Sequence, residues 1–127
     1  MRLKVKELNA KEYHDMYHAP VKINIPPMSV NKAWQGKRFK TKTYIKYEEA
    51  VLLMLPNFVL PEPPYKVIFE FGFSNPLSDV DNPTKPCMDI LQKKYGFNDR
   101  DVYHIELIKK ITAKGQEYFA FSITNKF

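Results

Sequence analysis

Alternation of apolar and polar positions is the strongest signal along this chain. The stretch YKVIFEFGF puts Tyr65, Val67, Phe69, Phe71 and Phe73 on one side of an extended strand. Shorter alternations mark residues 2–8 (RLKVKEL) and 21–25 (VKINI), the second stopped by Pro26 and Pro27. Near the end, YHIELIKKI and EYFAFSIT alternate on either side of TAKGQ, which predicts an antiparallel hairpin. Helical spacing takes over between Thr43 and Leu55, where Tyr44, Tyr47, Val51, Met54 and Leu55 share a face and Pro56 sets the limit. A second helix with Met88, Leu91 and Tyr95 on its apolar face ends at Tyr95, before Gly96. Its start falls between Asn82 and Lys85. Pro83 suits a first turn capped by Asn82, but Pro86 would cost a ladder hydrogen bond, which moves the start towards Thr84. Asn9 and Glu12 have the spacing of a capping box for a short helix ended by Pro20. From Met28 to Lys42 neither period holds, so a long loop is expected. The sum is an α+β domain: about four core strands in a mixed or antiparallel sheet, two principal helices, and a long loop after the first core strand.

At 127 residues the chain fits one domain, residues 1–127, with residues 1–20 as an N-terminal extension. Its 44% hydrophobic and 14% aromatic content argues against disorder. No apolar run approaches the roughly 20 residues of a membrane-spanning helix, and MRLKVKELNAKEYHD lacks the apolar core of a signal peptide. Cys87 is the only cysteine, so no intrachain disulfide can form, which suits a reducing cytoplasm. It reads as a small apolar core residue.

Charge changes the picture more. The net charge is +6, which points to an anionic partner: nucleic acid first, an anionic membrane surface second. No acidic residue lies between Asp15 and Glu48, whereas Lys22, Lys32, Lys37, Arg38, Lys40, Lys42 and Lys46 do. Lys32, Lys37, Arg38, Lys40 and Lys42, interleaved with Trp34, Phe39 and Tyr44, suit a surface that tracks phosphates and stacks on bases. The plainer alternative is a solvated loop whose rings cover the core. His14 and His18 have the i, i+4 spacing of a zinc helix, but no third ligand is evident and an exposed helix is the better reading.

Against this basic background, SDVDNPTKPCMDILQKKYGFNDRD gathers Asp79, Asp81, Asp89, Asp99 and Asp101. Asp79 and Asp81, two apart, would project to one side of an extended chain. Three carboxylates held together repel by several kcal/mol unless a cation sits among them. Magnesium is the natural cation, being bound by few carboxylates together with a phosphate. The alternative is that these acids and asparagines form turns and helix caps. A calcium loop of the EF-hand type fails, because Pro83 and Thr84 would occupy its fifth and sixth positions. Lys85 stands four residues before Asp89, at pairing distance on a helix, and is placed to hold a phosphate or stabilise developing charge.

The order D-x-D-N, a lysine three residues on, an aspartate four further in D-x-L, and an aspartate just ahead of a strand resembles the signature of RusA-type Holliday-junction resolvases. Here the positions are Asp79, Asp81, Asn82, Lys85, Asp89, Leu91 and Asp99. The upstream PPMSVNKAW resembles that family's Pro-Pro, asparagine and basic-aromatic opening, with Asn31 as its asparagine, and the likeness covers about residues 21–125. The resemblance implies a homodimeric endonuclease that uses magnesium, with manganese as a substitute, and no organic cofactor. Such enzymes cut four-way DNA junctions by paired incisions that leave ligatable nicks. It further implies Asp79, Asp81 and Asp99 as catalytic metal ligands, Lys85 as the essential lysine, and Asn82 and Asp89 as their supports. Asn31, Lys32, Trp34, Lys37, Arg38, Lys40 and Lys42 would contact DNA. The chain departs from the pattern in the prolines at 83 and 86 and in Asn98-Asp99, where two acids are usual. Asp101 is therefore the second candidate for the third ligand, after Asp99. The competing expectation is a non-catalytic DNA-binding protein whose acidic cluster is structural.

Overall fold

The computed structural model describes residues 20–29, 33–35 and 39–127. In chain order it contains β1 (Val21–Ile23), β2 (Trp34–Gln35), β3 (Phe39–Lys40), α1 (Lys42–Met54), β4 (Tyr65–Phe73), α2 (Thr84–Tyr95), a 3-10 turn (Asp99–Asp101), β5 (Val102–Ile111) and β6 (Tyr118–Asn125). The class is α+β: a four-stranded mixed sheet of order β1-β6-β4-β5, with two helices. The strand expected at residues 2–8, the capping box at Asn9 and Glu12, and the His14–His18 pair lie outside the described residues.

β4 occupies the middle because its side chains demand it. Tyr65, Val67, Phe69 and Phe71 are all buried on one face, and such a run is satisfied only where neighbouring strands cover both edges. β5 pairs with β4 in parallel, Tyr65 opposite Val102 and Phe73 opposite Ile111. β6 pairs with it antiparallel, and β1 adds antiparallel to β6. The expected β5–β6 hairpin is therefore corrected. The two runs alternate as predicted, but β4 lies between them, and residues 112–117 cross its end instead of turning back at once. Thr112 N donates to Phe73 O (2.8 Å) as the chain makes that crossing, and Gly115 takes φ +90° within it.

Both helices contribute to the same core. α1 buries Tyr44, Tyr47 and Val51, while α2 buries Cys87, Met88, Ile90 and Leu91 against β4 and β6. α1 starts on a side-chain cap, Thr41 Oγ1 accepting from Tyr44 N (3.1 Å). α2 starts at Thr84 without the expected Asn82 cap. Pro83 is the cap residue, and Pro86 is tolerated because it lies in the first turn, where an amide has no helical partner. Gly96 ends α2 in the left-handed conformation (φ 73°), its amide donating to Gln92 O (2.8 Å). Met54, expected on the apolar face of α1, is exposed; Glu48 is buried in its stead.

That glutamate is only 6% exposed, and it is satisfied by Lys93 Nζ of α2 (3.0 Å) and Lys40 Nζ of β3 (3.2 Å). One carboxylate thus ties both helices to the β2–β3 ribbon. Burial raises its pKa, but the two lysines outweigh burial and hold it below the usual glutamate value. The ribbon interrupts the stretch expected to be a loop, pairing Trp34 with Lys40 and Gln35 with Phe39. Strands of two residues are too short to display a period.

Two stability outcomes follow. Gly72 faces Tyr118 across the β4–β6 ladder, and a Cβ there would overlap the Tyr118 ring. Gly72→Ala is expected to lower stability by about 1–3 kcal/mol in urea unfolding. Glu48 binds its proton less readily when folded than when unfolded, so its contribution is present above pH 4.5 and fades as pH falls through the lower folded value. Glu48→Gln should cost about 1–3 kcal/mol at pH 7, with the gap from wild type narrowing in the same unfolding experiment as pH falls below 4.5.

Candidate active site

The connection from β4 to β5 builds the site. After Phe73 the chain makes a turn held by Asn75, whose Oδ1 accepts from Leu77 N (2.9 Å). Lys109 of β5 reaches across and donates to Pro76 O (2.5 Å) and Ser78 O (2.6 Å). This brings the segment carrying Asp79 and Asp81 back alongside the edge strand. The chain then coils through consecutive turns, Asn82 N donating to Asp79 O (3.4 Å) and Thr84 N to Asp81 O (3.1 Å), and enters α2. Asp79 and Asp81 consequently do not share a side as they would in extended chain.

α2 leads to the start of β5, which the parallel pairing has placed beside the start of β4. There Asn98 Oδ1 accepts from Arg100 N (3.0 Å), and Gln92 Oε1 accepts from Asp99 N (3.0 Å). These bonds hold Asp99 at the end of a groove between α2 and β5. Asp81, Thr84, Lys85, Met88, Asp89, Asp99, Val102 and Ile105 line that groove, whose volume is about 440 Å³.

Of the sequence-predicted residues, Asp81, Lys85, Asp89 and Asp99 are thereby brought into one groove. Lys85 Nζ lies 3.2 Å from Asp89 Oδ2, the i, i+4 pair expected on the helix. Such an exposed pair adds little stability, and its consequence is to hold an ammonium at the groove. Asp79 is exposed and Asn82 half-buried, and neither lines the groove. Between the two candidates before β5, Asp99 lines the groove and Asp101 does not; the charge of Asp101 acts instead on Tyr65, adding to burial in raising that hydroxyl's pKa.

The donors suit a magnesium ion in kind, being carboxylate oxygens, but not in arrangement. Among the described residues no three His, Cys, Asp or Glu side chains stand close enough together to hold a metal ion.

Sequence reasoning missed two contributors. Thr84 lines the groove, and its Oγ1 is buried with no hydrogen-bond partner, which leaves its bonding capacity unspent at the site. Lys109 anchors the loop carrying Asp79 and Asp81, a contact made 31 residues away along the chain that no local motif announces.

The basic residues divide. Asn31, Lys32, Lys37 and Arg38 lie outside the described residues, as does the side chain of Trp34. Lys42 opens α1 and is exposed. Lys40 is engaged by Glu48 and lies over the Tyr44 ring (5.3 Å to the centroid), so part of its charge holds the fold together. Cys87 is fully buried, which drives its thiol pKa far up and removes it from nucleophilic chemistry. No helix among the described residues is long and apolar enough to cross a membrane. No family model matches the chain, and no curated protein matches it.

Proposed function

We propose that this chain is a magnesium-dependent endonuclease of the RusA type, which resolves four-way DNA junctions by paired symmetric incisions in recombination and repair. The observation that carries the reading is the groove lined by Asp81, Asp89, Asp99 and Lys85, although Asp99 lies beyond the C-terminal end of α2, which itself carries Lys85 and Asp89. The motif D-x-D-N with its lysine supports it, as does the excess of cationic residues on a protein of net charge +6. A homodimer matches the two-fold symmetry of a four-way junction. Magnesium, or manganese in its place, is the proposed cofactor, with Asp79, Asp81 and Asp99 as its ligands. Those carboxylates would have to draw together to hold it, and bound cation would supply charge neutralisation and an acidified water. The reducing cytoplasm of a bacterium, with a cellular or phage-borne gene, is the proposed setting.

The chain's own groups then have separate tasks. The Lys85 ammonium, released from or shared with Asp89, neutralises a phosphate oxygen as charge builds on it. Asp99, held by its backbone bond to Gln92, orients water at the mouth of the groove. Water adds to phosphorus, the bond to the 3′ oxygen breaks, and the products are a 5′-phosphate and a 3′-hydroxyl, which a ligase can rejoin. Lys42, with Asn31, Lys32, Trp34, Lys37, Arg38 and Lys40, is the proposed DNA-contacting set. A second reading, a non-catalytic DNA-binding protein with a structural acidic cluster, is favoured by one observation: the carboxylates are not gathered into a three-ligand group.

Incubating the protein with labelled junction, duplex and single strand, with and without magnesium, separates the two. Metal-dependent nicking confined to the junction is expected. Asp81→Asn and Asp79→Asn should each lower the cleavage rate at least about 100-fold, while junction binding holds or tightens as repulsion from phosphate falls. Salt-dependent binding without any strand scission would establish the second reading, and undiminished cutting by both variants would remove these residues from the mechanism.

A further inference from the structure

Among the described residues the sheet has two edges of very different character. β1 is three residues long, which blunts it as a template for pairing. β5 is ten residues long and forms the other edge. Its large side chains are open to solvent: Tyr103 67%, Ile105 45%, Ile108 37% and Ile111 55% exposed. A long apolar edge strand left this way is a pairing surface.

The strand is also self-complementary in one register. Thr112 N donates to Phe73 O (2.8 Å), and alternate residues of a ladder face the same neighbour. The even-numbered residues Glu106, Ile108 and Lys110 therefore turn their backbone groups to β4. Ile105, Leu107, Lys109 and Ile111 leave theirs facing outward. When β5 is laid antiparallel on a copy of itself with Ile108 opposite Ile108, Ile105 meets Ile111, Leu107 meets Lys109, and Glu106 meets Lys110. The outward amides then face one another, the exposed isoleucines are covered, and Glu106, which also lies 3.3 Å from Lys66 Nζ of its own chain, meets Lys110 of the other copy twice across the axis. Lys109 brings no conflict with Leu107, since its ammonium is already turned to Pro76 O and Ser78 O. Centring on Leu107 instead would set Glu106 against Ile108 and His104 against Lys110, and loses the ion pairs.

We infer that the free edge of β5 docks a second copy of this chain, strand against antiparallel strand, about a two-fold axis at Ile108. The inference deepens the homodimer proposed above by giving it an interface. It also sets the two grooves on the same face of one continuous sheet, flanking the two-fold axis, because Val102 and Ile105 belong to both the edge and the groove wall.

The test is done on the full chain without DNA or metal, so that it does not depend on nuclease activity. Sedimentation equilibrium is expected to show a dimer, and Lys110→Glu to raise its dissociation constant about tenfold by opposing like charges at two places. In the proposed register the two Ile108 Cα atoms form a non-hydrogen-bonded pair roughly 4.5 Å apart, within reach of a disulfide. Ile108→Cys should therefore yield a covalent dimer on mild oxidation, seen on a non-reducing gel, while Glu106→Cys should not. The buried Cys87 gives no background. A monomer at all concentrations would overturn the inference, as would a dimer in which Ile108→Cys fails to cross-link or Glu106→Cys cross-links equally. A monomer that still nicks junctions would strike the interface alone. A cross-linked dimer with no scission would strike only the proposed activity.

Discussion

Burial of β4 on both of its edges is the constraint from which the rest follows. A strand carrying Tyr65, Val67, Phe69 and Phe71 on its core face cannot stand at the rim of a sheet without exposing them. Putting it in the centre forces β5 and β6 apart, although they are neighbours in sequence, and leaves β5 at an edge. Because β5 runs parallel to β4, the link between them must travel the length of the sheet. That link is the loop and helix that carry every groove residue except Asp99 and those on β5 itself. The groove is thus a by-product of how one apolar strand is covered.

Charged residues do two kinds of work here, and sequence position does not tell them apart. Glu48 interrupts the basic half of the chain and is buried between Lys40 and Lys93, where it joins α1, α2 and the β2–β3 ribbon. Lys109 looks like part of a basic patch but closes the loop ahead of Asp79. Lys85 and Asp89, in contrast, are partnered at the groove, where their charges remain accessible to a ligand. The net charge of +6 is therefore not all available to a ligand, since some of its lysines are structural.

The edge strand also borders the site. Ile105 is both a wall of the groove and one of the exposed side chains along β5, so anything that pairs with this edge also borders the acidic residues. Tyr65, by Asp101, and Tyr44, by Asp89 and Glu48, show that the fields of these carboxylates reach the core. Burial raises both hydroxyls' pKa values first, and the neighbouring negative charges raise them further.

The extent of β4, the two helices, the Gly96 stop and the inward cysteine were legible from the chain alone, because each rests on local periodicity or on the backbone preference of one residue. So was the Lys85–Asp89 pair, whose geometry any helix supplies. The β2–β3 ribbon was not, being too short to carry a period, and neither was the burial of Glu48, which depends on lysines brought from two other elements. The hairpin reading failed because alternation identifies a strand without naming its neighbour. Strand order is settled by competition for burial across the whole sheet, and that competition placed β4 between β5 and β6. The same competition brought Asp99 into the groove with Asp81, left Asp79 and Asp101 outside its lining, and made an open edge of β5. Local sequence determined the elements and their chemistry; their meeting depended on long-range pairing, which no stretch of the chain contains by itself.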